Sequence, residues 1–412
     1  MKTIVLTLTV LLSAAGFAAT PAETAIQKAQ TAIATHPDHY PYYNSLAMAY
    51  ARRARETSDV AFYAKAEETL AKSFAISPDN FEGLKTEAWL QLGRHEFAKA
   101  LGTAQKLNRQ TPDDVTVYGY LVDANAELGR YKDAVAAAQW MLDLRPGNVP
   151  GLTRAGYLRE LHGNLSGALE VMQMAYDSTP FNETEDRAWL LTQMAHLSLI
   201  SGDLSQAEML ANGALGLFPN YHYALGTLAQ VRIAQERYPE AVALLEKRYA
   251  AAPHAENLYA LAEAQELAGR KDDALESYAR FERQSLAESG LADNSNHELI
   301  AYYVDHAHKP AEALAIARRE VERRQDVYTL DACAWALAGS GDYEQAEAQS
   351  EKALAVGVKD PRLLFHAGAI ALHLRHKDKA AVYLKDAASR HSREALSLLR
   401  DMQAAAVAAG LE

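Results

Sequence analysis

Apolar positions along this chain come in pairs of helical faces. Between Val115 and Pro146, Val117, Tyr118, Leu121, Val122, Ala124 and Leu128 fall on one face of a first helix. Tyr131, Ala134, Val135, Ala138, Met141 and Leu142 fall on one face of a second. Gly129 separates the two, since glycine enters the left-handed conformation that ends a helix without β-carbon strain. Pro146 closes the unit, because proline cannot continue the second helix. The pattern recurs with Ala66, Ala100, Ala134, Ala168, Ala207, Ala241, Ala274, Ala313, Ala346 and Ala380, at gaps of 33, 34 or 39 residues. Twelve residues before most of these alanines sits another small residue, among them Ala88, Gly156, Ala195, Ala229, Ala262, Ala334 and Gly368. A third ladder is Pro78, Pro112, Pro146, Pro180, Pro219 and Pro253. A hairpin of two amphipathic helices cannot bury its apolar face alone, and stacking on its neighbours does so. The chain is therefore expected to be an all-α solenoid, which leaves little room for a separate catalytic domain.

The ladders set the organisation. Residues 19–37 read as an N-terminal capping helix, with Thr20 as N-cap, Pro21 at the first helical position and Glu23 completing a capping box. Residues 38–284 read as a block of about seven hairpins, 285–296 as a polar insertion, and 297–392 as a block of about three. Residues 393–412 read as a C-terminal capping helix and tail, with Leu396, Leu398, Leu399 and Met402 on its apolar face. Besides the polar insertion, extra residues near Arg55–Ala61 and Phe181–Glu185 lengthen the period.

The glycine turn, the following aromatic or leucine, the alanine and the terminal proline resemble the tetratricopeptide repeat (TPR) family. They read Gly129, Tyr131, Ala134, Pro146; Gly163, Leu165, Ala168, Pro180; and Gly202, Leu204, Ala207, Pro219. Later units read Gly341, Tyr343, Ala346 and then Arg375, Lys377, Ala380, where the glycine is lost. The resemblance spans roughly residues 38 to 394 and implies a TPR-type α-solenoid, a right-handed superhelix of stacked hairpins. It also implies that each first helix faces a concave groove suited to a protein or peptide partner. In that register the groove residues are Asn44, Lys85, Trp89, Tyr120, Asp123, Arg154, Tyr157, His196, Gln230, Glu263, Glu298, Tyr302, Asp331, Trp335, Phe365 and His366. Binding is expected to concentrate in Trp89, Tyr157, Tyr302 and Trp335, with the acidic members favouring a basic, salt-sensitive ligand. A carboxylate clamp of Asn44, Lys85 and Arg154 is incomplete, because Gly119 and Tyr120 intervene and Asp123 would repel an anion.

Composition narrows the function. The net charge of −12 disfavours nucleic acid, which calls for clustered Lys and Arg. The lone cysteine, Cys333, cannot form an internal disulfide and reads as a buried apolar group. No nucleophile elbow, phosphate loop or dinucleotide fingerprint occurs. No catalytic residue, cofactor or metal is expected, and the chain reads as non-enzymatic. Clustered histidines and aromatics near Tyr302, Asp331, Trp335, His366 and His373 motivate an alternative, a metal-dependent or enzymatic accessory. A structural component of an envelope assembly is the other.

Residues 1–18 carry Lys2, an apolar run through Leu12, and small residues at Gly16 and Ala18, the pattern of a secretory signal. The expectation is an exported protein, periplasmic or extracellular, with no stable membrane insertion after signal removal and with its oligomeric state open.

Overall fold

The computed structural model describes residues 19–408, so the expected signal over residues 1–18 lies outside the described residues. Twenty-two helices follow one another. A lone α1 (Pro21–Thr35) precedes ten hairpins: α2/α3 (Tyr40–Thr57, Ala61–Ile76), α4/α5 (Phe81–Gly93, Phe97–Gln110), α6/α7 (Val115–Glu127, Tyr131–Leu144), α8/α9 (Val149–Leu161, Leu165–Ser178) and α10/α11 (Thr184–Ile200, Leu204–Leu217). The second five are α12/α13 (His222–Ala234, Tyr238–Ala251), α14/α15 (Ala255–Leu267, Lys271–Glu288), α16/α17 (Asn296–Asp305, Pro310–Arg323), α18/α19 (Val327–Gly339, Tyr343–Leu354) and α20/α21 (Pro361–His373, Lys377–Ser389). α22 (Arg393–Ala408) ends the stack. No helix among the described residues is long and apolar enough to cross a membrane.

The ladders are the packing contacts. All ten alanines of the first ladder are buried. At Gly156 and Gly368 the approach is closer still: an added β-carbon would lie 2.7 Å from Met172 Cε and 2.6 Å from Leu384 Cγ, so the facing side chain would have to shift to admit it. Helix starts follow the Asx rule. Asn80, Asp114, Asn148, Asp326 and Asp360 each accept a backbone N–H of the first turn, satisfying a donor that the helix leaves unpaired. The capping box at Thr20 and Glu23 is present. The long insertions are mostly helix: α2 and α15 run to 18 residues and α10 to 17. Of the polar insertion at 285–296, α15 takes up the start through Glu288, Asn296 opens α16, and only 289–295 is non-helical.

One relationship escaped the periodicity. The superhelix winds so tightly that its second turn lies on its first. The turn inside one hairpin meets the loop that precedes the hairpin six places on. Gly129, with φ +74°, faces the carbonyl of Gln325, and Gly163 faces that of Gly357; a β-carbon on either would lie 2.3 Å from the oxygen. Gly202 meets Ser389 in the same register. Around these contacts Tyr131 Oη accepts from the Val327 N–H at 2.9 Å, Arg324 reaches Glu127 at 3.4 Å, and Arg390 donates to the Ile200 carbonyl at 2.5 Å. His95 pairs with Asp293 at 3.3 Å. Apolar groups join in at the centre, where Ala126 and Leu161 share one cluster with Val327, Val358 and Leu363.

A ring of inner helices around an aromatic cavity

The first five hairpins close into a ring. Arg52 and Arg55, near the end of α2, cross to the start of α10. Arg52 meets Glu183 at 2.5 Å and Asp186 at 3.3 Å; Arg55 meets Asp186 at 2.5 Å and also Glu185. Tyr221 Oη donates to the far side of Glu185 at 2.5 Å. Burial raises the Glu185 pKa while Arg55 opposes that rise. Arg55, Glu183 and Glu185 fall in the extra residues that interrupt the repeat, and Arg52 and Asp186 flank them.

Inside the ring lies a cavity of about 730 Å³, lined from all five first helices. Met48 and Arg55 come from α2, Trp89 from α4, Gly119, Tyr120 and Asp123 from α6, Arg154 and Tyr157 from α8, and Asp186, Trp189 and Leu190 from α10. Trp89 and Tyr120 have ring centroids 6.4 Å apart, within the range of favourable aromatic contact. The charged groups answer one another. Arg154 Nη2 lies 2.5 Å from Asp123 Oδ2, and its Nε donates to the Gly119 carbonyl at 3.1 Å. Arg154 can lie there because Gly119 has no side chain; a β-carbon would sit 3.1 Å from the guanidinium carbon. With Arg55 held by Asp186, the uncommitted lining is apolar and aromatic, the usual character of a binding cavity.

Five of the sixteen expected groove residues meet in this cavity: Trp89, Tyr120, Asp123, Arg154 and Tyr157. Tyr120 is almost wholly buried, so it forms floor rather than free surface. Several others are tied into the framework. Asn44 is buried, donating to Asn80 at 2.9 Å and accepting from Ser73 at 2.6 Å. Lys85 holds Asp114 at 2.9 Å, so with Arg154 on Asp123 no carboxylate clamp assembles. His196 meets Glu160 at 3.0 Å.

In the second turn, Trp335 stacks on His366 at 4.1 Å and donates to Asp305 at 2.9 Å. His366 pairs with Asp331 at 2.9 Å, Phe365 lies 6.0 Å from Trp335, and Tyr302 stacks on Tyr278 at 5.2 Å. Gln230 is exposed and Glu298 half-buried. Burial pushes Glu263 up to about 7, with the Tyr259 hydroxyl and Arg362 opposing. His373 stacks on Tyr343 instead of joining this group. Among the described residues, no three or more His, Cys, Asp or Glu are placed to hold a metal ion. Cys333 is buried in the core, where burial raises its thiol pKa.

Sequence reasoning missed Arg55, Glu183, Asp186 and Trp189. Trp189 had a signal. It stands seven residues before His196, as Thr116 stands before Asp123 and Pro150 before Tyr157, and all three positions line the cavity. Residues seven apart share a helix face, so the groove register extends two turns towards the helix start.

Residues 85–149 and 227–287 match the family model described as tetratricopeptide repeat. No curated protein matches the chain by sequence. Among solved structures, human IFIT1 with m7Gppp-AAAA is similar at 13% identity and a TM-score of 0.51, over 88% of this chain and 84% of that one. The Cut9–Hcn1 assembly of the APC/C gives 12% and 0.47, over 79% of this chain and 55% of that one, so this chain spans about half its length. Pseudomonas aeruginosa pilF gives 15% and 0.41, over 49% and 90%. Identities this low show the fold alone, and since the IFIT1 structure contains m7Gppp-AAAA, the architecture does not exclude nucleic acid. The repeat matches, the helix-only architecture and the solenoid neighbours lead to one identification: the chain is an all-α solenoid of TPR-type hairpins.

Proposed function

We propose that this protein is a non-enzymatic, exported scaffold that binds a protein or peptide partner within the ring of its first five hairpins. One observation carries the reading: a cavity of about 730 Å³ to which five successive inner helices contribute aromatic and apolar side chains, with its arginines engaged by carboxylates. Such a lining favours a bulky apolar side chain as anchor, since aromatic residues in a desolvated pocket concentrate binding energy. Export is supported by Lys2, the apolar run after it and the small residues Gly16 and Ala18, with the capping box of α1 starting directly beyond at Thr20. The test is a pull-down from the native compartment with the intact protein and a Trp89→Ala/Trp189→Ala variant, bound proteins being identified by mass spectrometry. A partner held by the intact protein and lost by the variant supports the reading. Identical capture by both would overturn it.

A further inference from the structure

We propose that the sixth hairpin carries an anion site at Arg248, which takes the carboxylate or phosphate group of a small ligand. Arg248 lies on α13 and takes no part in the ring cavity. It stands seven residues after Ala241, a position that is apolar and buried in most hairpins, as at Leu107, Met141 and Phe281. One other hairpin puts a charge there, and that charge is fully engaged: Glu320 accepts from Asn296 at 2.8 Å and from Arg323 at 3.2 Å. Arg248 has no ion pair within 4 Å and no hydrogen bond among the described residues. Its Nε is sealed from solvent without a partner, while Nη1 and Nη2 are not sealed.

The guanidinium has a counterpart in the ring. Arg154, reaching from the next hairpin, lies across Gly119, where an added β-carbon would be 3.1 Å from Cζ and 3.2 Å from Nε. Arg248, reaching from its own hairpin, lies across Gly226 in the same way, at 2.9 Å and 3.0 Å. The two glycines hold one position in the repeat, fifteen residues before Ala134 and Ala241. Four residues further, about one turn along the same face, the ring has Asp123 and the sixth hairpin has the exposed Gln230. Asp123 pairs with Arg154, whose Nε also donates to the Gly119 carbonyl. A neutral amide cannot balance a cation. An oxyanion can, because the guanidinium fork offers it two parallel N–H donors, with the Gln230 amide as a further donor.

The surroundings leave Arg248 uncompensated. Glu256 and Glu298 act on it from beyond 4 Å, and with Tyr223 they only partly offset its burial, which lowers its pKa. Arg55 and Arg232, each held by carboxylates, shift upwards instead. His222 stays neutral, since burial and then Arg248 lower its pKa to about 3. Burying a cation without a partner is costly, and a bound anion relieves that cost.

The experiment titrates the whole protein with inorganic phosphate and, separately, with acetate, against chloride at equal ionic strength. Heat of binding and melting temperature are read. The expected result is saturable binding of one equivalent, with a rise in melting temperature that chloride does not give; the tighter of the two anions names the group. Two variants address the site. Arg248→Met places there the side chain that Met141 has in the third hairpin, and it should raise the melting temperature of the unliganded protein. Gln230→Asp supplies to Arg248 the carboxylate that Asp123 supplies to Arg154. Each should weaken anion binding by at least about tenfold. If Arg248→Met does not fold, Gln230→Asp decides alone. No response to either anion beyond that to chloride, or a response that the variants keep, would overturn the site.

Discussion

Arg154 and Asp123 neutralise each other inside the ring, the guanidinium 2.5 Å from the carboxylate. The sequence register put both in the groove and read Asp123 as a determinant of charge preference. Paired, they offer a ligand little net charge. Partner affinity should therefore change only slightly between low and high salt, because screening acts on unpaired exposed charge. A titration series across ionic strength checks this; a steep loss of affinity with salt would return the binding energy to electrostatics.

Trp89 and Trp189 should behave differently from Trp335. The first two line the cavity, so truncation to alanine should cost about 2 kcal/mol or more in partner affinity while the helical spectrum is retained. Trp335 is stacked on His366 and bonded to Asp305, so Trp335→Ala should chiefly lower the melting temperature. Parallel affinity and melting measurements on the three variants separate the roles.

Gly129 and Gly269 occupy the same turn position with φ of +74° and +76°. Replacing either by alanine costs about 1 kcal/mol of left-handed strain. At Gly129 the new methyl also meets the Gln325 carbonyl, whereas at Gly269 nothing lies within 4 Å. Denaturant melts should therefore show Gly129→Ala as the more destabilising, with an increase in scattering radius absent from Gly269→Ala. Equal losses and unchanged radii would mean that the two superhelical turns do not touch in solution.

Glu127 gives a pH signature. Burial and then Asp326 push its pKa up to about 7, against Arg324, from an ordinary 4.5. A carboxyl whose folded pKa lies above its unfolded value contributes stability that is fully present below the unfolded pKa. That contribution is lost as pH rises through the folded one. The window is therefore 4.5 to about 7, with a slope for one group of at most about 1.4 kcal/mol per pH unit. Glu127→Gln should flatten the pH–stability curve in that window and stabilise the protein above it. Denaturant melts across the range test this, and an unchanged slope would mean that Glu127 is ionised throughout.

The export reading makes a prediction about mass. Protein recovered from its native host should lack residues 1–18 and begin near Ala19, as removal of a signal requires. Intact-mass measurement decides, and a chain that retains Met1 would favour an uncleaved anchor.

Local order was legible because each hairpin is specified within its own stretch of sequence. Ala134, Gly129 and Asp114 each act within a turn or two of their position: one at a crossing, one at a left-handed turn, one as a cap. The groove register found Trp89 and Tyr157 for the same reason. Trp189 was missed because the lining reaches two turns further towards the helix start than the groove register did, to the position that Thr116 and Pro150 hold on their own helices. Arg55 and Asp186 pair 131 positions apart, and a superhelical pitch is set by small rotations accumulated over many hairpins, which no single hairpin's pattern records.

The seating of one superhelical turn on the other changes how this chain must fold. A solenoid that touches only its neighbours can assemble from any point and melt piecemeal. Here Glu127 and Arg324 are 197 positions apart, and Ile200 and Arg390 are 190 apart. Such contacts close late, after loop entropy has been overcome, and they raise the mean sequence separation that slows folding. Because synthesis runs from the amino end, the five-hairpin ring can form around its cavity before α18 exists to rest on it. The finished protein then couples repeats six places apart, so that loss of a late hairpin is felt by an early one.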